Sequence, residues 1–252
     1  MLRYSPDRGR SGKTISPITR GSSDVSRPEL SDIDFITLLD QDPDIGLAIV
    51  SSDGEIVDYN ANTPTLFGVD PAINFRNKRL GDIFEFEFVE ERMQWIGEVL
   101  QTRQPLRVDH LYHGRRMAST IMPLTYDSDV RYVAVMTRRD AQMTDEPNAN
   151  RVMSHFLDLG PLSTLTKREL EILVLLGHGY SVPETARRLY RSPRTVEQHK
   201  ASIGRKLGVS AIADIARIVA VHGLKLEDLE LDRLLALRPE YRHETEKVGQ
   251  TR

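Results

Sequence analysis

The stretch SPRTVEQHKASIGRKLG, Ser192–Gly208, decides how this chain is read, because it sets Arg194, His199, Lys200, Arg205 and Lys206 against the single carboxylate of Glu197 in what reads as one helix. A charged run is most often a solvated face, so its neighbours must say whether it binds anything. Ser192 is a helix-capping residue, and Pro193 fits the first helical position, where its missing N–H costs no hydrogen bond. On a helical wheel Val196, Ile203 and Leu207 fall along one side, and Arg194, Glu197, Gln198, Ala201 and Arg205 along the other. The first side predicts domain core; the second is free to meet a partner.

The surrounding segment carries further helical patterns separated by short turns. Thr166 with Glu169 three residues on is a capping box, followed by Leu170, Leu173, Val174 and Gly177 on one face. Gly177 and Gly179 end that helix. Pro183 suits the first turn of the next, with Ala186 and Leu189 inward. A fourth helix is expected over Ser210 to His222, with Ile215, Ile218 and Val219 as an apolar stripe. Helix, tight turn, helix is the arrangement in which the second member of the pair enters a DNA major groove.

Leu165-Thr166, Arg168-Glu169, Gly179, Glu184, Ala186, Leu189, Ser192, Thr195-Val196, His199, Ile203, Lys206-Leu207, Ala220 and Gly223 together resemble the LuxR-type helix-turn-helix domain over about residues 163–224. The resemblance implies base contacts from Glu197, Gln198 and Ala201. Glutamate accepts from cytosine N4, glutamine pairs with adenine, and alanine touches a thymine methyl. Arg194, Thr195, His199, Lys200, Arg205 and Lys206 are expected at phosphates, which fix register without reading sequence. Plain solvation is the competing reading for Arg205 and Lys206. In the family the fourth helix makes a dimer contact, which makes Ile215, Ile218 and Val219 dimer candidates, although each could equally face its own core. Two departures stand out: Val182-Pro183 follows Ser181 where Asn with a basic residue is common, and Ile212 replaces a frequent Arg.

Upstream, IVSSDGEIVDYNANTPTLFGV combines an apolar run, an Asp53-Gly54 turn, Ile56 and Val57, and Asn60 as a helix cap, with Gly68 closing that helix. A helix over about residues 89–102 and three strands between Arg107 and Arg139 follow, with turns at His113-Gly114 and residues 127–129. A short capped helix carrying Ile33, Ile36 and Leu39 precedes the hairpin. This order resembles a PAS domain over roughly residues 35–139, a family that senses ligands or mediates dimerisation. The fold class expected is α+β: a PAS-like antiparallel sheet with helices, joined to a small all-α four-helix domain. The expected organisation is a disordered tail over 1–30, the PAS-like sensor or dimerisation domain over 31–140 and a linker over 141–162 in which RVMSHFLDLGP forms a short helix. The helix-turn-helix domain over 163–224 and a carboxy-terminal leucine-rich helix and tail over 225–252 complete it.

Composition narrows the chemistry. The 252 residues contain no cysteine, which removes disulfides, thiol nucleophiles, thiolate zinc sites, iron–sulfur clusters and cysteinyl-flavin photochemistry. Residues 163–224 carry ten Lys and Arg against five Asp and Glu, while residues 31–140 carry eleven against nineteen, so the net charge of -3 hides a basic segment suited to a polyanion. No apolar run is long enough to span a bilayer and no signal peptide is indicated, so a cytoplasmic protein without a membrane partner is expected. His110 and His113, the candidate haem ligands, fall on opposite faces of a strand and turn, and surface positions are expected for both. No cofactor is indicated. Asp42, Asp44, Asp53 and Asp58 lack a His or Ser in catalytic spacing, and no phosphate-cradling glycine loop is present, so an enzyme is not expected. The expected function is a sequence-specific transcriptional regulator acting on double-stranded DNA as a homodimer, with RNA polymerase as a further partner. The alternative is a PAS-type interaction module whose basic domain binds a protein, or DNA only non-specifically.

Overall fold

The Asp53-Gly54 turn brings β1 (Ile45–Ser51) and β2 (Ile56–Tyr59) together antiparallel, with Gly54 at φ 83°, a backbone conformation that a side chain resists. The computed structural model describes residues 35–124, 132–139 and 150–241. The expected cap of the first helix, its Ile33, the turn at residues 127–129 and the tail over 1–30 lie outside them. A second two-residue turn, His113 at φ 49° and Gly114 at φ 70°, joins β3 (Leu106–Tyr112) to β4 (Arg115–Leu124), and β5 (Tyr132–Arg139) completes the antiparallel group. Among the described residues the sheet order is β2-β1-β5-β4-β3-β6-β7. With the helices packed on this sheet and the helical region beyond it, the fold is α+β.

Side chains alternate across the sheet. On one face α2 (Thr63–Leu66), α3 (Leu80–Ile83) and α4 (Phe86–Thr102) cover the inward residues of β1, β3, β4 and β5, and Trp95, Ile96 and Val99 of α4 pack with Val50, Val108, Ile121 and Val133. The short α1 (Phe35–Asp40) buries none of its residues. Asn60 does not cap the following helix as the sequence suggests. Its carboxamide accepts from Leu47 N (2.8 Å) and donates to Ile45 O (3.2 Å), pinning β1, and α2 begins only at Thr63. The backbone groups of a sheet edge compete for such a side chain as strongly as a helix start does.

Two expectations are overturned at the joint between the halves. RVMSHFL forms β6 (Arg151–Leu157), parallel to β3 and paired with it from Arg107↔Arg151 to Leu111↔Leu157, instead of a linker helix. A short apolar run is ambiguous by pattern alone, and the open edge of β3 decides it. The buried Glu91 of α4 adds to this by accepting from Ser154 Oγ (2.8 Å) and His155 N (2.7 Å). The leucine-rich end is likewise not a helix: after one 3-10 turn, Glu227–Glu230, it runs extended as β7 (Asp232–Arg233) beside β6. Its leucines divide between two cores. Leu229 and Leu231 pack against the helical core, and Leu234, Ala236 and Leu237 against the sheet's aromatic cluster.

The helical half consists of α5 (Lys167–Gly177), α6 (Val182–Arg188), α7 (Pro193–Leu207) and α8 (Ile212–His222). Its core includes Leu170, Leu173, Val196, Ile203, Ile215 and Val219, and it is continuous with Leu111, Leu157 and Leu159 from the sheet. Polar contacts fix the same junction. Arg116 of β4 is ion-paired with Asp228, both side chains 1% exposed, and its Nε donates to Gly223 O (3.2 Å). His222 donates to Gly114 O, and Arg115 Nη1 to Val221 O (3.2 Å). Asp158 accepts from Gly160 N (2.9 Å) and Ala236 N (3.0 Å).

Removing one partner of a buried ion pair leaves the other charge dehydrated and alone. Arg116→Ala is therefore expected to cost about 3–5 kcal/mol in urea unfolding, whereas the double variant Arg116→Met with Asp228→Leu should lie within about 2 kcal/mol of the native chain. Equal losses for the single and double variants would refute this account of the junction.

Candidate nucleic-acid interface and sensor cavity

Each helix start in the helix-turn-helix region is specified locally. Thr166 Oγ1 accepts from Glu169 N (3.2 Å) and the Glu169 carboxylate accepts in turn from Thr166 N (2.8 Å), the reciprocal box read from the sequence. Ser181 and Glu184 form a second box, so Val182-Pro183 leaves that start fully capped. Ser192 Oγ accepts from Thr195 N (3.1 Å) at the start of α7, with Pro193 in the first turn. Tyr190, in the turn before it, takes φ 53° and is 89% exposed.

α7 divides as its wheel predicts. Val196 and Ile203 are fully buried and Leu207 packs on the same core, while Arg194, Glu197, Gln198, Ala201 and Arg205 are exposed. Thr195, His199 and Lys200 are half-buried at the borders, and Lys200 Nζ lies 3.3 Å from Glu197. Lys206 departs from the expectation of a phosphate contact: its ammonium donates to Glu169 (2.6 Å) and to Thr164 O (2.9 Å), so it is engaged within the domain. Ser202 Oγ donates to the same carboxylate (2.7 Å). Burial alone would raise the pKa of Glu169, but the bonds from Lys206, Ser202 and Thr166 outweigh it and hold the carboxyl at about 2.

Of the dimer candidates, Ile215 and Val219 are buried in the domain's own core and Ile218 packs against it, so these side chains are already committed. α8 is instead open along Ile212, Ala213, Arg217, Ala220 and Val221. Cations that the residue pattern did not single out, Arg187 and Arg188 of α6 and Arg191 before α7, are also exposed. The signal for them was the basic cluster ARRLYR itself.

Gly204 lies within α7, where glycine costs about 1 kcal/mol against alanine. A Cβ there would stand 2.6 Å from Val209 O, so close packing of the helix against its own C-terminal turn requires the glycine.

The sheet half encloses a cavity of about 120 Å³ whose walls include Phe75, Phe84, Phe88, Trp95 and Ile121. One end is polar. Arg92 stacks over Phe88 (3.5 Å) and Trp95 (4.9 Å), and its Nη2 lies 3.4 Å from His110 Nδ1. A guanidinium only donates, which makes Nδ1 the acceptor and leaves Nε2–H for Ser119 Oγ at 3.0 Å. Ser119 in turn lies 2.8 Å from Thr137 Oγ1. Burial, with the charges of Arg92 and Arg116, pushes His110 well below the usual imidazole range, so it is neutral. Burial also lowers Arg92 to about 10 against the opposing pull of Glu91, and it stays charged near neutrality. His110 is thus a buried residue rather than the surface histidine expected, while His113 sits half-exposed in its turn. The alternation Val108, His110 and Ser119, Ile121 on paired strands was the available signal.

Residues 163–219 match the family of bacterial regulatory proteins of the luxR type, and residues 39–143 match the PAS fold. The chain therefore carries a LuxR-type helix-turn-helix domain and a PAS domain. The first family is one of regulators, not enzymes. Among curated relatives, the oxygen regulatory protein NreC of Staphylococcus aureus is 44% identical over 64 residues, 25% of this chain and 29% of the relative. The chain thus spans less than a third of the length of that relative. Among solved structures, the phage VqmA–DPO complex is similar at 19% identity and TM-score 0.43, covering 81% of this chain and 96% of the other. The VqmA–ligand–DNA complex of Vibrio cholerae stands at 18% identity and TM-score 0.42, covering 75% and 87%.

A carboxyl whose pKa falls from 4.5 unfolded to about 2 folded contributes stability fully above 4.5 and loses it as pH drops towards 2. Between about pH 6 and about pH 3 that loss amounts to about 2 kcal/mol. Glu169→Gln should flatten this part of the acid limb in urea unfolding, and an unchanged limb would refute the assignment. Gly204→Ala is expected to lower the melting temperature despite its better helix propensity, with calorimetry as the check.

Proposed function

We propose that the chain is a sequence-specific DNA-binding transcriptional regulator whose PAS domain receives a chemical signal. The observation that carries this reading is the division of α7: one face is locked into the core by Val196 and Ile203, and the other offers Glu197, Gln198 and Ala201 to solvent behind a capped N-terminus. In this reading α7 enters the major groove. Gln198 pairs with adenine, Glu197 accepts from cytosine and Ala201 touches a thymine methyl. Arg194, Thr195, His199, Lys200 and Arg205 meet phosphates, with Arg187, Arg188 and Arg191 adding charge on the same domain. Lys206 holds α7 at its working angle through Glu169 and takes no phosphate.

The chain acts as a homodimer in the cytoplasm, recruiting or excluding RNA polymerase. Ile212, Ala213, Ala220 and Val221 are the α8 residues available for a two-fold contact, and a two-fold dimer requires half-sites about one helical turn apart. The cavity suits a small molecule with an apolar body and one polar end that can accept hydrogen bonds, because its walls are apolar and its polar groups gather at Arg92, His110, Ser119 and Thr137. An apolar cavity of roughly 150 Å³ is enough for a benzene ring, so about 120 Å³ admits an occupant no larger than one ring.

Selection of bound duplexes from a random pool by the full chain yields the operator. On that operator Gln198→Ala should lose about 1–3 kcal/mol of discrimination at one base pair. Lys200→Ala should weaken specific and non-specific duplexes alike and reduce the slope of log affinity against log salt by about one. If both variants act equally on all duplexes, the groove-reading assignment fails.

A further inference from the structure

The segment that follows α8 does not end with the helix-turn-helix domain but crosses to the wall of the PAS cavity. It begins at Leu224, buried in the helical core, and is tied there by the Arg116–Asp228 pair and by Arg233 Nη1 donating to Leu165 O (2.7 Å), just ahead of α5. It then pairs with β6, Leu234 N donating to Leu157 O (3.1 Å). Beyond that it reaches the α3–α4 junction: Glu85 N donates to Ala236 O (2.8 Å), Arg238 N to Ile83 O (3.0 Å) and Arg238 Nε to Phe84 O (3.3 Å). Leu237, 3% exposed, packs into the cluster that contains Phe75, Ile83, Phe84 and Phe88, and Tyr241 lies against Phe75 at 5.9 Å between ring centroids. Those four cluster residues also line the cavity. One layer of side chains therefore has the cavity on one side and this segment on the other.

We propose that Leu224–Tyr241 is a strap that couples the PAS cavity to the helix-turn-helix domain, an occupied cavity holding the strap docked and an undocked strap releasing α8 from the β3–β4 turn. The proposal rests on the cavity being the signal input. An occupant presses Phe84 and Phe88 from inside into the positions on which Leu237 rests from outside, so occupancy and docking favour each other. Coupling of this kind is reciprocal: whatever occupancy does to the strap, the strap does to the cavity by the same factor. The α8 end is part of the same unit, since His222, Gly223 and Val221 are held by Gly114, Arg116 and Arg115 and the strap carries Asp228, the partner of Arg116.

Trp95 is the only tryptophan of the chain and lines the cavity, which gives a direct readout. In the full chain, Leu237→Ser should speed hydrogen exchange about tenfold at the Leu234 and Arg238 amides and at Gly114 in the β3–β4 turn. Acrylamide quenching of Trp95 fluorescence should rise about twofold in the same variant as the cavity wall loosens. Arg238→Ala keeps the Leu237 side chain and should move all readouts in the same direction by less, which guards against a general loss of fold. Faster strap exchange with unchanged quenching of Trp95 would overturn the coupling, and unchanged strap exchange would overturn Leu237 as its anchor. Neither readout involves DNA, so a chain that selects no duplex from a random pool removes the regulator reading while this result stands or falls independently.

Discussion

The Glu169 carboxylate is the interaction on which the helix-turn-helix geometry depends. It caps α5 through Thr166, and it also receives Ser202 and Lys206 from α7, so one buried anion fixes where α7 leaves the helix that supports it. Apolar packing of Val196 and Ile203 supplies most of the adhesion between these helices, yet such packing is non-directional and tolerates sliding. Three hydrogen bonds converging on one buried carboxylate do not. Removing it would leave the half-buried Ser202 hydroxyl without its acceptor and free Lys206 to turn into solvent.

The same contrast between adhesion and register holds at the junction of the two domains. Leu111, Leu157 and Leu159 merge the sheet edge with the helical core, and an apolar seam alone would permit several neighbouring arrangements. Arg116 and Asp228 select one of them, because a guanidinium and a carboxylate that have both left water must meet in a single geometry. The pair runs against the overall charge of the two halves, since the acidic sheet half supplies the arginine, and the exposed cations of α6 and α7 are left open to a polyanion.

What the sequence made legible follows from how local each determinant is. The Thr166–Glu169 capping box, the Pro193 start, the two faces of α7 and the Asp53-Gly54 and His113-Gly114 turns depend on residues within four positions of one another, and all are read without tertiary knowledge. β6 and the strap are not legible locally because their conformation is decided by partners far along the chain: β3 for Val152, Glu91 for Ser154, and the α3–α4 junction for Leu237. A leucine pattern says that a segment will be buried and does not say by what. The two cores that divide Leu229 and Leu231 from Leu234 and Leu237 turn what reads as a helical stripe into an extended one. His110 illustrates the same limit at a single residue, since the strand alternation fixes its face but not that Arg92 of α4 will cover it. Lys206 is the converse case, a cation that the family resemblance places at phosphate and that a buried carboxylate claims first.

A buried ion pair at a domain junction has a further consequence for how the chain can move. Partial separation of Arg116 and Asp228 would expose neither charge fully to water while already losing their attraction, so intermediate arrangements are the least favourable ones. Two states are left, docked and hydrated, with few between them. The strap adds the backbone bonds of β7, Ala236 and Arg238 to the same transition, and these open together because each lies on one continuous extended segment. A small occupant of the cavity would touch this unit only through Phe84, Phe88 and their neighbours, and through them it would bias the whole. Its leverage is set by differential affinity for the two states and not by how tightly it binds either one.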